Sequence, residues 1–217
     1  GGKSPIIVFE DADIDSAVNG AAGGIFGASG QSCVAGSRLL LHEAIADQFI
    51  EKMRAIATGI KIGDPMLEQT EMGPLCTFGQ LETIERELAH AKTEGATVIC
   101  GGQRAKAGSD MFFQPTIVAC PSPDLRIVDT ELFGPVVTVL RFKDEADAIR
   151  LANRSEHGLA AGIFTRASAR SLRVAKAVKA GIIWVNTYRA VSPVAQFGGM
   201  KNSGYGRESG YQAVYDY

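Results

Sequence analysis

Short apolar runs alternate with amphipathic stretches along nearly the whole chain, and no other feature constrains the fold as tightly. PIIVF (Pro5–Phe9), SRLLLH (Ser37–His42), TVIC, FFQPTIVA, PVVTVLRF, LAAGIFT and GIIWVN read as strands. Gln114 precedes a proline, which holds that stretch extended. The segments between them have helical spacing. Asp13 is an N-cap candidate, with Ile14, Ala17, Val18, Ala21 and Ala22 on one face. Ala46, Phe49, Ile50, Met53, Ile56 and Ala57 form a second such face. FGQLETIERELAHAKTEGA is a third helix, ended by Gly95. EADAIRLANR and SARSLRVAKAV are shorter ones. Strand-helix alternation predicts an α/β fold: an open, mostly parallel twisted sheet flanked by helices. Residues 1–217 read as one domain, with 191–217 as a glycine-rich and then aromatic tail. Ligands of such sheets bind beyond the carboxyl ends of the strands, so the loops after strands are expected to carry the chemistry.

With 217 residues, 46% of them hydrophobic, the chain can bury a core without disulfides or metals. A net charge of -2 gives no electrostatic case for nucleic acid or a membrane surface. No apolar run reaches the roughly 20 residues of a bilayer span. The chain opens on Gly-Gly-Lys, with neither Met nor a signal peptide, and reads as a piece of something longer. Cys33, Cys76, Cys100 and Cys120 are scattered, with no C-x-x-C pair, which fits a reducing, cytoplasmic compartment. His42, His90 and His157 are isolated, so no metal site is expected.

Three segments remain as candidates for chemistry. In GASGQSCVAGSR, Cys33 sits among small and polar residues that allow backbone and substrate to approach closely. Free cysteines are commonly small buried hydrophobes. Cys76, Cys100 and Cys120 are expected to be of that kind, and Cys33 less so. ELFGPVV places Glu131 just before a strand, either as a polar turn residue or as an acceptor for a ligand hydroxyl. QFGGMKNSGYGRESG is glycine-rich without the spacing of a phosphate-binding loop. It reads equally well as a tight loop beside a substrate tunnel.

Taken together and in this order, GGKSPIIVFEDADID, GQSCVAGSR, ELFGPVV, NRSEHGLAAGIFT, GIIWVN and FGGMKNSGYGRE resemble the aldehyde dehydrogenase superfamily over nearly the whole chain. The resemblance implies the catalytic domain of that family, with a nucleotide-binding domain outside this chain toward which the tail would pack. It implies oxidation of an aldehyde to a carboxylate with NAD, or NADP, through a thiohemiacetal and a thioester on Cys33. It implies that Glu131 holds hydroxyls of the nicotinamide ribose and that Phe133 packs near the nicotinamide. Gln80 reaches the cofactor on a weaker match, since a basic residue common a few positions on is Thr83 here. Val34 and Phe197 would line the aldehyde tunnel, and Glu208 would sit near its back and relay protons. The family's usual Pro before Phe-Gly-Gly is Gln196. The general base, a Glu two residues before Gly1, would lie outside the chain. The piece alone is therefore expected to bind cofactor poorly and turn over little aldehyde, and the whole protein is expected to be a homodimer or homotetramer. The competing readings are a CoA-acylating semialdehyde dehydrogenase, a cysteine-dependent acyl-transfer or esterase enzyme, and a non-catalytic scaffold domain.

Overall fold

The computed structural model describes residues 1–215. Its elements run β1 (Pro5–Val8), α1 (Ile14–Phe26), β2 (Arg38–His42), α2 (Ala46–Gly59), α3 (Phe78–Thr93), β3 (Thr97–Cys100), β4 (Thr116–Ala119) and α4 (Arg126–Asp129). They continue with β5 (Val136–Phe142), α5 (Glu145–Asn153), β6 (His157–Gly158), β7 (Ala160–Phe164), α6 (Ser168–Ala177), β8 (Ile182–Val185) and β9 (Met200–Lys201). Seven strands form one sheet in the order β3-β4-β5-β2-β1-β7-β8. All neighbours are parallel except β3, which runs antiparallel at one edge. The mostly parallel α/β sheet expected from the alternation is what forms. A separate ladder pairs β6 with β9. Two-residue strands carry no periodicity, so nothing in the sequence announces them.

Alternate strand residues serve opposite faces. Ile6, Val8, Leu39, Leu41, Val137 and Val139 pack with residues of α1 and α2. Ile7, Leu40, Val136 and Leu140 pack with Leu81, Ile84 and Leu88 of α3, Leu151 of α5 and Val174 of α6. Both faces are covered, which is why the strands read as unbroken apolar runs. Asp13 caps α1, accepting from the Ser16 N–H at 3.0 Å. Two α1 glycines permit close packing: a Cβ at Gly20 would lie 2.7 Å from the Phe164 ring, and one at Gly24 2.7 Å from the Tyr188 ring.

Two buried cations lie where β1 and β2 begin. Arg38 is 1% exposed, and its guanidinium donates to the carbonyls of Lys3 (2.7 Å), Leu151 (2.9 Å) and Ala152 (2.8 Å). The last two are carbonyls in the last turn of α5, at the negative end of the helix dipole, where the Leu151 carbonyl also accepts the capping Arg154 N–H at 3.4 Å. Burial lowers the Arg38 pKa to about 10, which leaves it charged at neutral pH. Lys3 is also buried, and its Nζ meets no acceptor among the described residues. Burial, reinforced by the Arg38 charge, lowers its pKa from 10.5 to about 7. The unfolded chain keeps that proton up to about pH 10, whereas the folded chain releases it near 7. The unfolded state therefore binds more protons in this window, and stability rises with pH across it. Lys3→Met is expected to raise the urea midpoint most at and below pH 7, the gain shrinking toward pH 10. Urea unfolding of both proteins at either end of that window checks this.

Candidate active site

The candidate residues gather at the amino ends of the strands, which overturns the expectation that the loops after strands carry them. Gly1 and Gly2 lead into β1, the Cys33 loop into β2, and Glu131–Pro135 into β5. These three strands are adjacent and parallel, so their entry loops converge on one edge. On the opposite edge, ion pairs gather beyond β1 and β7. Arg170 donates to Glu10 at 2.7 Å and Asp11 at 3.0 Å and lies 4.7 Å from the Phe9 ring centroid. The Thr165 hydroxyl adds a bond to Asp11 at 2.7 Å, and Arg173 binds Glu145 at 2.7 Å. The carboxyl ends of β1 and β7 are thus occupied by the protein's own charged groups, while a cavity of about 350 Å³ lies at the carboxyl ends of β4 and β5, lined by Ala119, Cys120, Pro121 and Arg141 among others.

At the amino edge the loops touch. The Gly2 N–H donates to Glu131 Oε1 at 3.0 Å. A Cβ at Gly2 would lie 2.4 Å from the Cys33 carbonyl oxygen. A narrow cleft here is lined by Gly2, Gly30, Ser32, Glu131, Phe133 and Gly134, among others.

The backbone before Cys33 is strained. Ala28, Ser29 and Gly30 have φ of 54°, 55° and 69°, a left-handed turn within Gly27–Gly30. Each non-glycine residue in this region costs about 1–2 kcal/mol. Side chains hold it in place: Ser29 Oγ donates to the Gly73 carbonyl at 2.9 Å, and the Gln31 amide donates to Pro74 O (3.2 Å) while accepting from the Cys76 N–H (2.8 Å). The turn leaves Cys33 exposed, and the N–H groups of Cys33 and Val34 donate no hydrogen bond among the described residues. Val34 is buried, and its carbonyl accepts from the Tyr188 hydroxyl at 2.9 Å. Burial pushes that hydroxyl well above its ordinary pKa, which keeps it a donor. The Tyr188 ring meets Trp184 edge-on at 4.8 Å.

Gly30 joins the two central loops. A Cβ there would lie 2.1 Å from the Gly134 carbonyl oxygen, at a φ of 69° that side chains resist. Gly30→Ala is expected to cost at least ~2 kcal/mol, because backbone must move on both sides. It should also slow alkylation of Cys33. Thermal unfolding and timed iodoacetamide labelling check the two effects.

Glu131 is half-buried, and its Oε2 takes no hydrogen bond from the described residues. Phe133 is 41% exposed at a φ of 51°. Gln80 lies in the first turn of α3, and its amide donates to the Leu132 carbonyl at 3.4 Å, between those two residues. Val34 shares a small apolar cluster with Leu159, Ala160 and Trp184, against which Phe197 packs. Phe197 and Glu208 exchange two backbone hydrogen bonds of 2.7 Å, and the Glu208 side chain is exposed. The structure therefore brings Cys33, Glu131, Phe133 and Gln80 to one edge and joins Val34 to Phe197 in one cluster. Glu208 is tied in through its backbone.

Backbone packing accounts for much of the glycine-rich tail. Cβ atoms at Gly181 and Gly198 would lie 1.8 Å and 2.4 Å from the carbonyl oxygens of Gly198 and Gly206. Part of the tail folds onto its own domain through β9, and Lys201 donates to the carbonyls of Asn153 (2.7 Å) and Ser155 (2.8 Å).

One expectation about thiols fails. Cys120 is buried and Cys100 half-buried, but Cys76 is exposed. It sits in a loop bonded to Gln31 rather than in a strand, so no packing encloses it. Burial raises the Cys120 pKa to about 11. Among the described residues, no group of His, Cys, Asp and Glu is disposed to hold a metal ion. No described helix is long and apolar enough to cross a membrane. Gln31, Lys3 and Tyr188 escaped the sequence reading. Gln31 was in plain view inside the thiol motif, whereas nothing local linked Tyr188 to a loop more than 150 positions away.

Residues 1–217 match the aldehyde dehydrogenase family. The chain is 48% identical to (Z)-2-((N-methylformamido)methylene)-5-hydroxybutyrolactone dehydrogenase of Acinetobacter baylyi, covering 100% of this chain and 44% of that protein. It is 45% identical to betaine aldehyde dehydrogenase of Brucella anthropi, covering 100% of this chain and 45% of that one. Among solved structures, PnpE from Pseudomonas sp. WBC-3 superposes with a TM-score of 0.97 at 45% identity, over 100% of this chain and 45% of PnpE. Betaine aldehyde dehydrogenase of Staphylococcus aureus, in complex with NAD+, gives 0.97 at 40% identity, over 100% and 44%. The chain thus spans less than half the length of these relatives. On the match over its full length, the chain belongs to the aldehyde dehydrogenase family.

Proposed function

We propose that the whole protein containing this chain is an NAD(P)-dependent aldehyde dehydrogenase, with Cys33 as its nucleophile. The observation that carries this reading is an exposed thiol on a braced, strained loop, beside uncommitted backbone N–H groups and at the same strand edge as Glu131. The residues present fit a dinucleotide. Glu131 Oε2, without a hydrogen bond among the described residues, is an acceptor for a ribose diol, and Phe133 offers an exposed ring of a kind that packs on a nicotinamide. PnpE has been solved in complex with nicotinamide adenine dinucleotide. When bound, NAD(P)+ supplies the acceptor for the aldehyde hydride.

The chain's own residues do the rest of what is assigned to it. The Cys33 thiolate adds to the aldehyde carbon, forming a C–S bond and an oxyanion. The Cys33 N–H, which meets no other acceptor among the described residues, stabilises that oxyanion. Oxidation leaves an acyl thioester on Cys33, which water cleaves to the carboxylate. Glu131 orients the ribose, Gln80 supports the Leu132 carbonyl beside it, and Val34 and Phe197 wall the aldehyde path. Glu208 relays protons at its far end. The aromatic residues Tyr205, Tyr211 and Tyr215, 98%, 71% and 75% exposed, support a tail that packs against the nucleotide-binding domain. Four free thiols support a reducing, cytoplasmic setting, and the exposed Val185 on edge strand β8 supports a homo-oligomer.

Acid quench of the whole protein during turnover of an aldehyde with NAD+, followed by peptide mass spectrometry, tests this. An acyl adduct on the Cys33 peptide, released by water without added CoA, is expected. Turnover with no adduct on Cys33 under any quench time would remove the nucleophile assignment, and release requiring CoA would favour an acylating enzyme.

A further inference from the structure

Arg189 differs from every other arginine of the chain. Each of the others meets a carboxylate or an oxygen acceptor, as Arg38, Arg170 and Arg207 do. The half-buried Arg189 has no ion pair and no side-chain hydrogen bond among the described residues. Its position is held from both sides. Tyr188 is bonded to the Val34 carbonyl, one residue past Cys33, and the Ala190 carbonyl accepts from Trp184 Nε1 at 2.7 Å. Arg189 itself takes a φ of 62°, which an arginine adopts only at a cost. Its Nη1 lies 3.1 Å from where a Cβ at Gly27 would stand, at the start of the turn that leads to Cys33. The residue that follows Arg189, Ala190, lines an apolar chamber of about 160 Å³ together with Ile182, Trp184, Val191 and Phe197, with no acidic residue in the wall.

A half-buried guanidinium whose donors meet no protein acceptor among the described residues and stay open to solvent is placed to take an anion from solution. The geometry points to Arg189 as the residue that binds an anionic group on the substrate, so that the aldehyde oxidised is one carrying a carboxylate, a semialdehyde. The apolar chamber beside it accommodates the carbon chain between the two ends. This inference rests on the aldehyde dehydrogenase reading above and narrows its substrate class. Arg189 is here a specificity-determining residue, with no part in the bond-making steps.

The test compares kcat/KM for a semialdehyde and an uncharged aldehyde of equal carbon number, in the whole protein with NAD+. The parent protein is expected to prefer the semialdehyde by at least ~10-fold. Arg189→Met should lower its kcat/KM for the semialdehyde by ~100-fold, mainly through KM, and leave the uncharged aldehyde within ~3-fold. Arg189→Lys should recover part of the loss, since it restores charge without the fork. Equal loss on both substrates, or no preference in the parent, overturns the inference and leaves the dehydrogenase reading standing. Failure to oxidise either aldehyde overturns both. A second readout needs no turnover: a saturated dicarboxylate should slow iodoacetamide labelling of Cys33 in the parent and not in Arg189→Met. Equal protection in both overturns the inference.

Discussion

Cys33→Ser is expected to lower kcat/KM for aldehyde oxidation by the whole protein by about ten-thousandfold or more, with the fold and cofactor affinity unchanged. A serine hydroxyl is almost wholly protonated at neutral pH, so the attacking anion is lost while the side chain keeps its shape. The substitution is mild structurally because Cys33 is exposed, so stability should stay within about 0.5 kcal/mol. The braces of the loop, Ser29, Gln31 and Tyr188, do not involve the thiol. Cys76→Ser is the internal control: it removes another exposed thiol from a neighbouring loop and should leave kcat/KM unchanged. Steady-state kinetics and NAD+ titration of the three proteins measure this. Retention of a tenth of the activity by Cys33→Ser would defeat the nucleophile assignment.

Arg38→Met should cost about 3–5 kcal/mol of folding stability, the second large effect. One guanidinium serves three buried carbonyls, and methionine serves none. A carbonyl left without a partner retains its desolvation penalty, on the order of 1–3 kcal/mol where no water enters, and of the three Leu151 keeps a 3.4 Å bond from the Arg154 N–H. The C-terminal end of α5 also loses the cation that offsets its dipole. Arg38 is the first residue of β2, paired with Pro5 on one side and Thr138 on the other, so the damage falls at the middle of the sheet. In a chain of this size the loss corresponds to a Tm drop of roughly 10 °C. Arg38→Lys should recover only part of it, because an ammonium has no planar fork to reach three carbonyls at once. A loss under about 1 kcal/mol would show that solvent or relaxation replaces these bonds. Differential scanning calorimetry of the three proteins decides the point.

Much of the sheet was legible because its elements carry their own signals. Ile6 to Phe9 and Leu39 to Leu41 are apolar without a break because both sheet faces are covered, and such runs stand out in a sequence. Asp13 and Gly95 were readable as helix ends because capping is local chemistry. The β6–β9 ladder was not, since its two-residue strands pair across more than 40 positions and each has no pattern of its own. Cys76 was misjudged because burial depends on what packs above a loop, and a loop's own residues do not encode that.

The site divides along the same line. Sequence alone singled out Cys33, Glu131 and Phe133 as candidates, because the motifs that hold them resemble, in order and spacing, those of the aldehyde dehydrogenase family. It also determined the α/β class, because strand and helix periodicities are properties of successive residues. Only the tertiary structure decided which edge of the sheet those motifs share. The adjacent parallel strands β1, β2 and β5 bring their entry loops together, while the ion pairs of Arg170 occupy the carboxyl ends of β1 and β7. Only the structure assigned Tyr188 to the Val34 carbonyl and left Arg189 without a partner among the described residues. Contacts between residues 150 positions apart follow from the order and register of strands. Those are set by the whole core at once and leave no mark on any one segment.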